Sequence, residues 1–264
     1  SRQKSAPGRP SRNCRSSPRT LEPMTLAVSV YGATGRLGSH ICELVNDAED
    51  LTLHSALSSR SSLEEIAGAD VVIDVTHIEA SEPLVKYALQ AGVPVVVGTS
   101  GWNAERLAQL APRIPDDLGV LVVPNFSIGS VLGTHLSTIA ARFFDDVDIL
   151  EAHHASKVDA PSGTAVRTAE RINEVLVARD ASPQANADAT SRGETIGRVP
   201  VHAMRLPGVV SEQRVIFGGT GETLDIRHLT TSSTAYDRGI LLALRSAPEA
   251  RGLVTGLDEL LELS

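Results

Sequence analysis

The sequence predicts an α/β protein: a doubly wound parallel sheet followed by a second domain of α+β type. Three observations carry that reading. Short runs of Val, Ile and Leu alternate with helix-spaced segments between residues 25 and 126, the rhythm of βαβ units. Aromatic residues are 3% of the chain against 42% hydrophobic residues in all, so the core is aliphatic and suits strands buried on both faces. After Asn125 the alternation lapses, and β-like runs separated by Gly and Thr turns come to dominate.

In chain order, residues 26–31 (LAVSVY) form a β-rich run that ends in a glycine turn at 32–38. Ile41, Leu44 and Val45 recur at helical spacing across 39–47. Strands are expected over 51–57, 71–75, 93–97 and 119–123, and a short helix or turn over 62–67. Helices are expected over 80–91, closed by Gly92, and over 104–110. Beyond them come a helix over 128–144, a strand over 147–152, and a helix over 164–177 with Ala165, Ala169, Ile172 and Leu176 on one face. Residues 180–197, carrying Ala, Asp and Pro, read as a mobile loop. Strands over 199–206, 212–218 and 222–229 follow, with the turn Gly218-Gly219-Thr220-Gly221 arguing for an antiparallel or mixed sheet. From Tyr236 to Leu263 the chain reads as helical and is expected to pack back on the first domain.

Composition sets outer limits. A chain of 264 residues has room for one large or two modest domains. The two cysteines, Cys14 and Cys42, form no CxxC, which argues against a disulfide framework or a zinc site; no metal is expected. No apolar run approaches the roughly 18 to 20 residues that span a bilayer, so a cytoplasmic protein without a membrane partner is expected. Residues 1–23 stand apart, with six basic residues against one acid, Glu22, among Ser and Pro. They lack the apolar stretch of a secretory signal and are expected to be a disordered extension. The chain's net charge of −8 is therefore concentrated in the body, which argues against nucleic acid as a partner. The expected organisation is the extension (1–23), a dinucleotide-binding domain (24–126), a second domain (127–235) and a C-terminal helical segment (236–264) returning to the first.

The dinucleotide reading rests on Gly32-Ala33-Thr34-Gly35-Arg36-Leu37-Gly38, placed between the first strand and the first helix. Glycines there let the backbone turn tightly and approach a pyrophosphate, whose charge meets the free N–H groups of a helix start. The spacing is GxxGxxG rather than GxGxxG, and such strings also occur in other Rossmann-type proteins, so the motif names a ligand class and no enzyme. The second strand ends in Leu57-Ser58-Ser59-Arg60, with no acid before Glu64. An acid would hold a ribose 2′-hydroxyl, whereas an Arg accommodates a 2′-phosphate, so Ser58 and Arg60 favour NADPH over NADH. Gly98, Thr99 and Ser100, and then Val123, Pro124, Asn125 and Phe126, lie at later strand C-termini, the edge where open α/β sheets bind ligands.

The densest chemistry lies in Glu151-Ala-His153-His154-Ala-Ser-Lys157-Val-Asp159-Ala-Pro161-Ser162-Gly163-Thr164-Ala165. Two histidines and a lysine leave a strand and enter a loop that ends at a helix start. Ser162 suits a cap, and Gly163 and Thr164 offer backbone N–H groups to an anion. Cationic groups on one side and a helix N-terminus on the other suit a dicarboxylate, and a His with a Lys on one loop can supply protons.

That string closely resembles the signature of the dihydrodipicolinate reductase family. The resemblance runs from Met24 nearly to the end and takes in Gly32 to Gly38, Val72-Ile-Asp-Val-Thr-His77, Val97-Gly-Thr-Ser-Gly101, Pro124-Asn-Phe-Ser-Ile-Gly129 and Gly221-Glu-Thr-Leu-Asp-Ile-Arg-His228. It implies NAD(P)H-dependent reduction of a cyclic imine dicarboxylate, on the path to diaminopimelate and lysine. It implies His153 as proton donor and acceptor, Lys157 as proton donor, and His154, Lys157, Gly163 and Thr164 as substrate-carboxylate contacts. Dinucleotide contacts would come from Gly32 to Gly38, Gly98 to Ser100 and Val123 to Phe126. It further implies a substrate-binding and oligomerisation role for the second domain and a homotetramer pairing through second-domain sheets. Closure about hinge segments near Ser127 and Tyr236 is expected to bring cofactor and substrate together. Two departures stand out: Ser58 replaces the acid many members place after the second strand, and residues 1–23 have no counterpart. A non-catalytic redox sensor would share the first domain and predicts cofactor binding without turnover; another two-domain amino-acid-pathway dehydrogenase would not need the His153–Thr164 loop.

Overall fold

The computed structural model describes residues 25–181 and 189–263. The extension expected over 1–23 lies outside the described residues, as do residues 182–188 of the stretch expected as a loop. The chain begins with β1 (Leu26–Tyr31), α1 (Arg36–Asp47), β2 (Leu51–Leu57), β3 (Val71–Asp74), α2 (Ile78–Ala91), β4 (Val95–Val97), α3 (Ala104–Leu110) and β5 (Gly119–Val122). The strands pair in parallel throughout. Their side chains divide between two apolar layers by the period-two alternation of a strand. Ile73, Val96 and Leu121 turn to α1, and Val72, Val95 and Val120 turn to α2 and α3.

The second unit contains α4 (Ile128–Ala140), β6 (Asp146–His153), α5 (Gly163–Ala178), β7 (Glu194–Ile196), β8 (Val199–Arg205), β9 (Ser211–Gly219) and β10 (Glu222–Thr230). Its strands run in the order β10-β9-β6-β8-β7. Only β6 and β8 are parallel, so the sheet is mixed. Ala165, Ala169, Ile172 and Leu176, the face read from the sequence, pack on Ile149, Val201, Val215 and Phe217. The helix expected over 128–144 stops at Ala140. Beyond it the Arg179 guanidinium, at the end of α5, donates to the carbonyls of Ala141 and Phe144 at 3.0 and 2.8 Å and so satisfies groups that a continuing helix would have used. The stretch expected as a loop contributes strand β7, antiparallel to β8.

The chain then returns through α6 (Asp237–Ser246) and β11 (Gly252–Thr255), giving a first sheet, among the described residues, of order β11-β5-β4-β3-β1-β2. The tail was expected to be helical to Leu263; it is helical only to Ser246, extended over Gly252–Thr255, and then runs through bends and turns. Pro248 and Gly252, the latter at φ +67°, break the helix, and Leu253-Val254-Thr255 is a β-favouring run that pairs with Val120–Val122. Ile240 and Leu244 of α6 are fully buried beside α1. Among the described residues no helix is long and apolar enough to cross a membrane.

Candidate active site

The glycine turn is folded as a cradle. The N–H groups of Gly32 and Ala33 both donate to Leu57 O at 3.0 Å, and Gly35 N–H donates to Gly32 O at 2.9 Å. Gly32 sits at φ +96°, and a Cβ on Gly38 would come within 2.0 Å of Gly32 O. The start of α1 has no side-chain cap and no acid in its first turn, so its N–H groups face outward for an anion. This is the arrangement a pyrophosphate fits. Gly38→Ala is therefore expected to force the turn apart, costing about 1–3 kcal/mol and weakening dinucleotide binding. A fluorescence titration with NADPH and a urea melt read both effects, and unchanged binding would remove Gly38 from the cradle.

The other sequence-chosen positions gather on the same sheet edge. Ser58 closes β2, where its Oγ accepts from Arg60 N–H at 3.2 Å; the Arg60 side chain is exposed. Thr99 is buried, and its Oγ1 accepts from Thr76 N–H at 2.8 Å. Asp74, fully buried, accepts from the Thr76 hydroxyl at 2.6 Å, so the turn after β3 is tied to the turn after β4. A Cβ on Gly98 would lie 2.7 Å from the Phe126 ring, which is why that position is Gly. Val123 and Phe126 are buried beneath the edge, Pro124 and Ser100 are exposed on it, and Asn125 crosses to the second unit. The Asn125 amide donates to Ser130 Oγ at 3.0 Å and to Thr164 Oγ1 at 3.3 Å. A small cleft of about 40 Å³ lies there, lined by Asn125, Ser130, Gly163, Thr164 and Arg167 among others. A larger concavity of about 830 Å³ between α2 and α3, around Trp102 and Arg106, contains none of the sequence-chosen residues.

Strand β6 carries Glu151 and His153 two residues apart, hence on one face of the strand. The Glu151 side chain is fully buried. It receives His153 Nδ1 at 2.7 Å, both Arg205 terminal nitrogens at 2.8 Å and Ser162 N–H at 3.0 Å. Burial alone would push this carboxyl up, but those hydrogen bonds outweigh it and bring the pKa from 4.5 down to about 2. An ionised carboxylate only accepts, so Nδ1 of His153 carries a hydrogen and Nε2, 3.1 Å from Ser211 Oγ, is the nitrogen left for exchange. His154 is held more loosely, Nδ1 lying 2.8 Å from Ser156 Oγ. Lys157 Nζ sits 2.7 Å from Asp159 Oδ1. Ser162 caps α5 by accepting from Ala165 N–H at 3.3 Å, and Gly163 and Thr164 form its first turn.

The structure thus brings Pro124 and Asn125 of the strand-end turns and Gly163 and Thr164 of the His153–Thr164 loop to one small cleft, whose lining does not include His153, His154, Lys157 or the Gly32–Gly38 cradle. Sequence reading assigned Glu151 and Asp159 no catalytic or binding role and passed over Arg205 and Ser211. The Glu151/His153 spacing was a usable signal. Arg205 and Ser211 were not accessible that way, because they meet His153 only as its register partners on β8 and β9.

The chain matches the family models described as "Dihydrodipicolinate reductase, N-terminus" over residues 26–126 and "Dihydrodipicolinate reductase, C-terminus" over residues 129–261. It is 48% identical over 242 residues to the 4-hydroxy-tetrahydrodipicolinate reductase of Clavibacter michiganensis subsp. michiganensis, covering 91% of this chain and 87% of that protein. The Streptomyces griseus subsp. griseus protein of the same name is 42% identical over 247 residues, 90% of this chain and 99% of its own length. Among solved structures, the dipicolinate-bound dihydrodipicolinate reductase from Paenisporosarcina sp. TG-14 superposes with a TM-score of 0.79 at 30% identity, over 89% of this chain and 99% of that one.

Proposed function

The chain belongs to the dihydrodipicolinate reductase family, and from that premise we propose that it reduces 4-hydroxy-tetrahydrodipicolinate or its dehydrated form to tetrahydrodipicolinate, in diaminopimelate and lysine biosynthesis, with NADPH favoured over NADH. The observation that carries the site assignment is the Glu151–His153 pair, locked by Arg205 where β6 ends and the loop carrying Lys157 begins.

Bound NADPH supplies the hydride from its nicotinamide. The protein's own groups do the rest. The Gly32–Gly38 cradle and the α1 N-terminus would hold the pyrophosphate, and the Gly98–Ser100 and Val123–Phe126 turns would supply further dinucleotide contacts. His154, Lys157 and the Gly163 and Thr164 amides take the substrate carboxylates. The net reaction takes up one hydride and one proton, and the proton comes from the His153/Lys157 loop. His153 gives or takes it at Nε2, because Glu151 holds Nδ1. The cationic groups stabilise the charge that develops as the ring accepts hydride. Asn125, bonded to Thr164, links the two sides and sits beside the Ser127 hinge.

Ser58 and Arg60 support the NADPH preference, since no carboxylate stands at the end of β2 to hold a 2′-hydroxyl. Strand β10, at the edge of the second sheet with Leu224 and Leu229 at 38% and 45% exposure, supports a homotetramer pairing through these sheets. Two cysteines without a CxxC support a reducing, cytoplasmic setting. The test is nicotinamide oxidation, followed by absorbance, with substrate made freshly from pyruvate and aspartate semialdehyde. Turnover is expected with both cofactors and faster with NADPH. NADH ahead would overturn the Ser58–Arg60 assignment, and no turnover from folded, cofactor-binding protein would overturn the function.

A further inference from the structure

We propose that the Asp159 carboxylate is a built-in stand-in for a substrate carboxylate: it pairs with the Lys157 ammonium and must swing out when substrate lands. The inference rests on the substrate contacts proposed above and concerns how they are kept before binding.

Four observations converge on it. Lys157 Nζ lies 2.7 Å from Asp159 Oδ1. Lys157 is one of the four groups assigned to the substrate's carboxylates. Asp159 is not needed to cap the helix, because Ser162 already does so through Ala165 N–H. The Asp159 main chain is pinned, its carbonyl accepting from Arg205 Nη2, while its side chain is 56% exposed. A fixed backbone with an exposed side chain can release its carboxylate by rotamer change alone, on a timescale far shorter than turnover. Gly163 is not packed against other elements: apart from its chain neighbours and its own helix backbone, no atom lies within 4 Å of where a Cβ would stand.

The physical consequence is competition. An ammonium left bare beside a helix start would attract any small anion, and one held by its own carboxylate yields only to a ligand that offers more. A ligand with two carboxylates recovers the lost ion pair and gains contacts with His154 and Thr164; a simple anion recovers the pair alone. A half-exposed ion pair is weak enough to exchange. The cost of displacing it falls on ligand binding rather than on the chemical step.

The test is the dissociation constant of dipicolinate, an unreactive dicarboxylate, measured by calorimetry on the NADPH-loaded protein. Asp159→Asn and Asp159→Ala should each bind it about two- to fivefold more tightly than the unaltered chain, the scale of one exposed ion pair. Chloride should compete against dipicolinate more strongly in both variants. If Asp159 instead positions Lys157 for catalysis, both variants bind dipicolinate equally or more weakly and lose turnover, and the stand-in role is overturned. Unaltered protein that turns over substrate but shows no gain in either variant refutes only this inference. Unaltered protein that neither binds dipicolinate nor turns over refutes the site assignment beneath it.

Discussion

His153→Ala is expected to lower turnover by roughly 10²–10⁴-fold, the usual contribution of a positioned acid–base group, while NADPH binding is unchanged. The separation is architectural: the cradle belongs to the first sheet, and His153 to the second, where its partners are Glu151 and Ser211. Its side chain is 14% exposed, so truncation leaves a small space and no unpaired charge other than the Glu151 carboxylate, which keeps Arg205 and Ser162. Steady-state rates with both substrates saturating, set beside a nucleotide titration, separate chemistry from binding. Equal turnover in the variant would remove His153 from the reaction.

The second large effect is on stability. Arg205→Met is expected to cost about 3–5 kcal/mol, because a fully buried carboxylate loses its bidentate partner and the neutral replacement cannot compensate. The pH dependence follows from the sign of the Glu151 shift. Its folded pKa of about 2 lies below the 4.5 of the free group, so the paired carboxylate stabilises the fold above about pH 4.5. That stabilisation is lost as pH falls from 4.5 toward 2, and it amounts to about 3 kcal/mol. Urea melts of the unaltered chain at pH 3, 5 and 7 should show this loss, and Arg205→Met should show a shallower one from a lower starting point. A variant as stable as the parent at pH 7 would mean that Glu151 finds another partner.

What was legible in the sequence is what local patterning encodes. The alternation of aliphatic runs with helix-spaced segments placed β1 to β5 and α1 to α3, and the stripe from Ala165 to Leu176 placed the face of α5 that the sheet buries. The candidate site was visible as residue types on one string, His153 to Thr164. Its anchoring was not, because Arg205 is 54 residues from Glu151 and reaches it through the β6–β8 register. The tail failed for a related reason. Leu253-Val254-Thr255 is too short to signal a strand by itself, and its extended form is decided by pairing with β5, far back in the chain. The end of α4 was misplaced because the carbonyls there are taken by Arg179, a side chain on another helix.

That late pairing bears on how the protein is made. The first sheet receives its outermost strand, and α6 beneath it, only after the whole second unit has been synthesised. Until then β5, whose residues are all buried in the finished protein, is an open edge, and the apolar surface that Ile240 and Leu244 will cover is bare. On the ribosome the nascent nucleotide half is therefore incomplete and prone to self-association, while the inserted half closes its own core around Ile149 and Phe217. Contacts so distant in sequence also form slowly. Residues 237–255, translated after the second unit, act as the clasp that completes the first sheet.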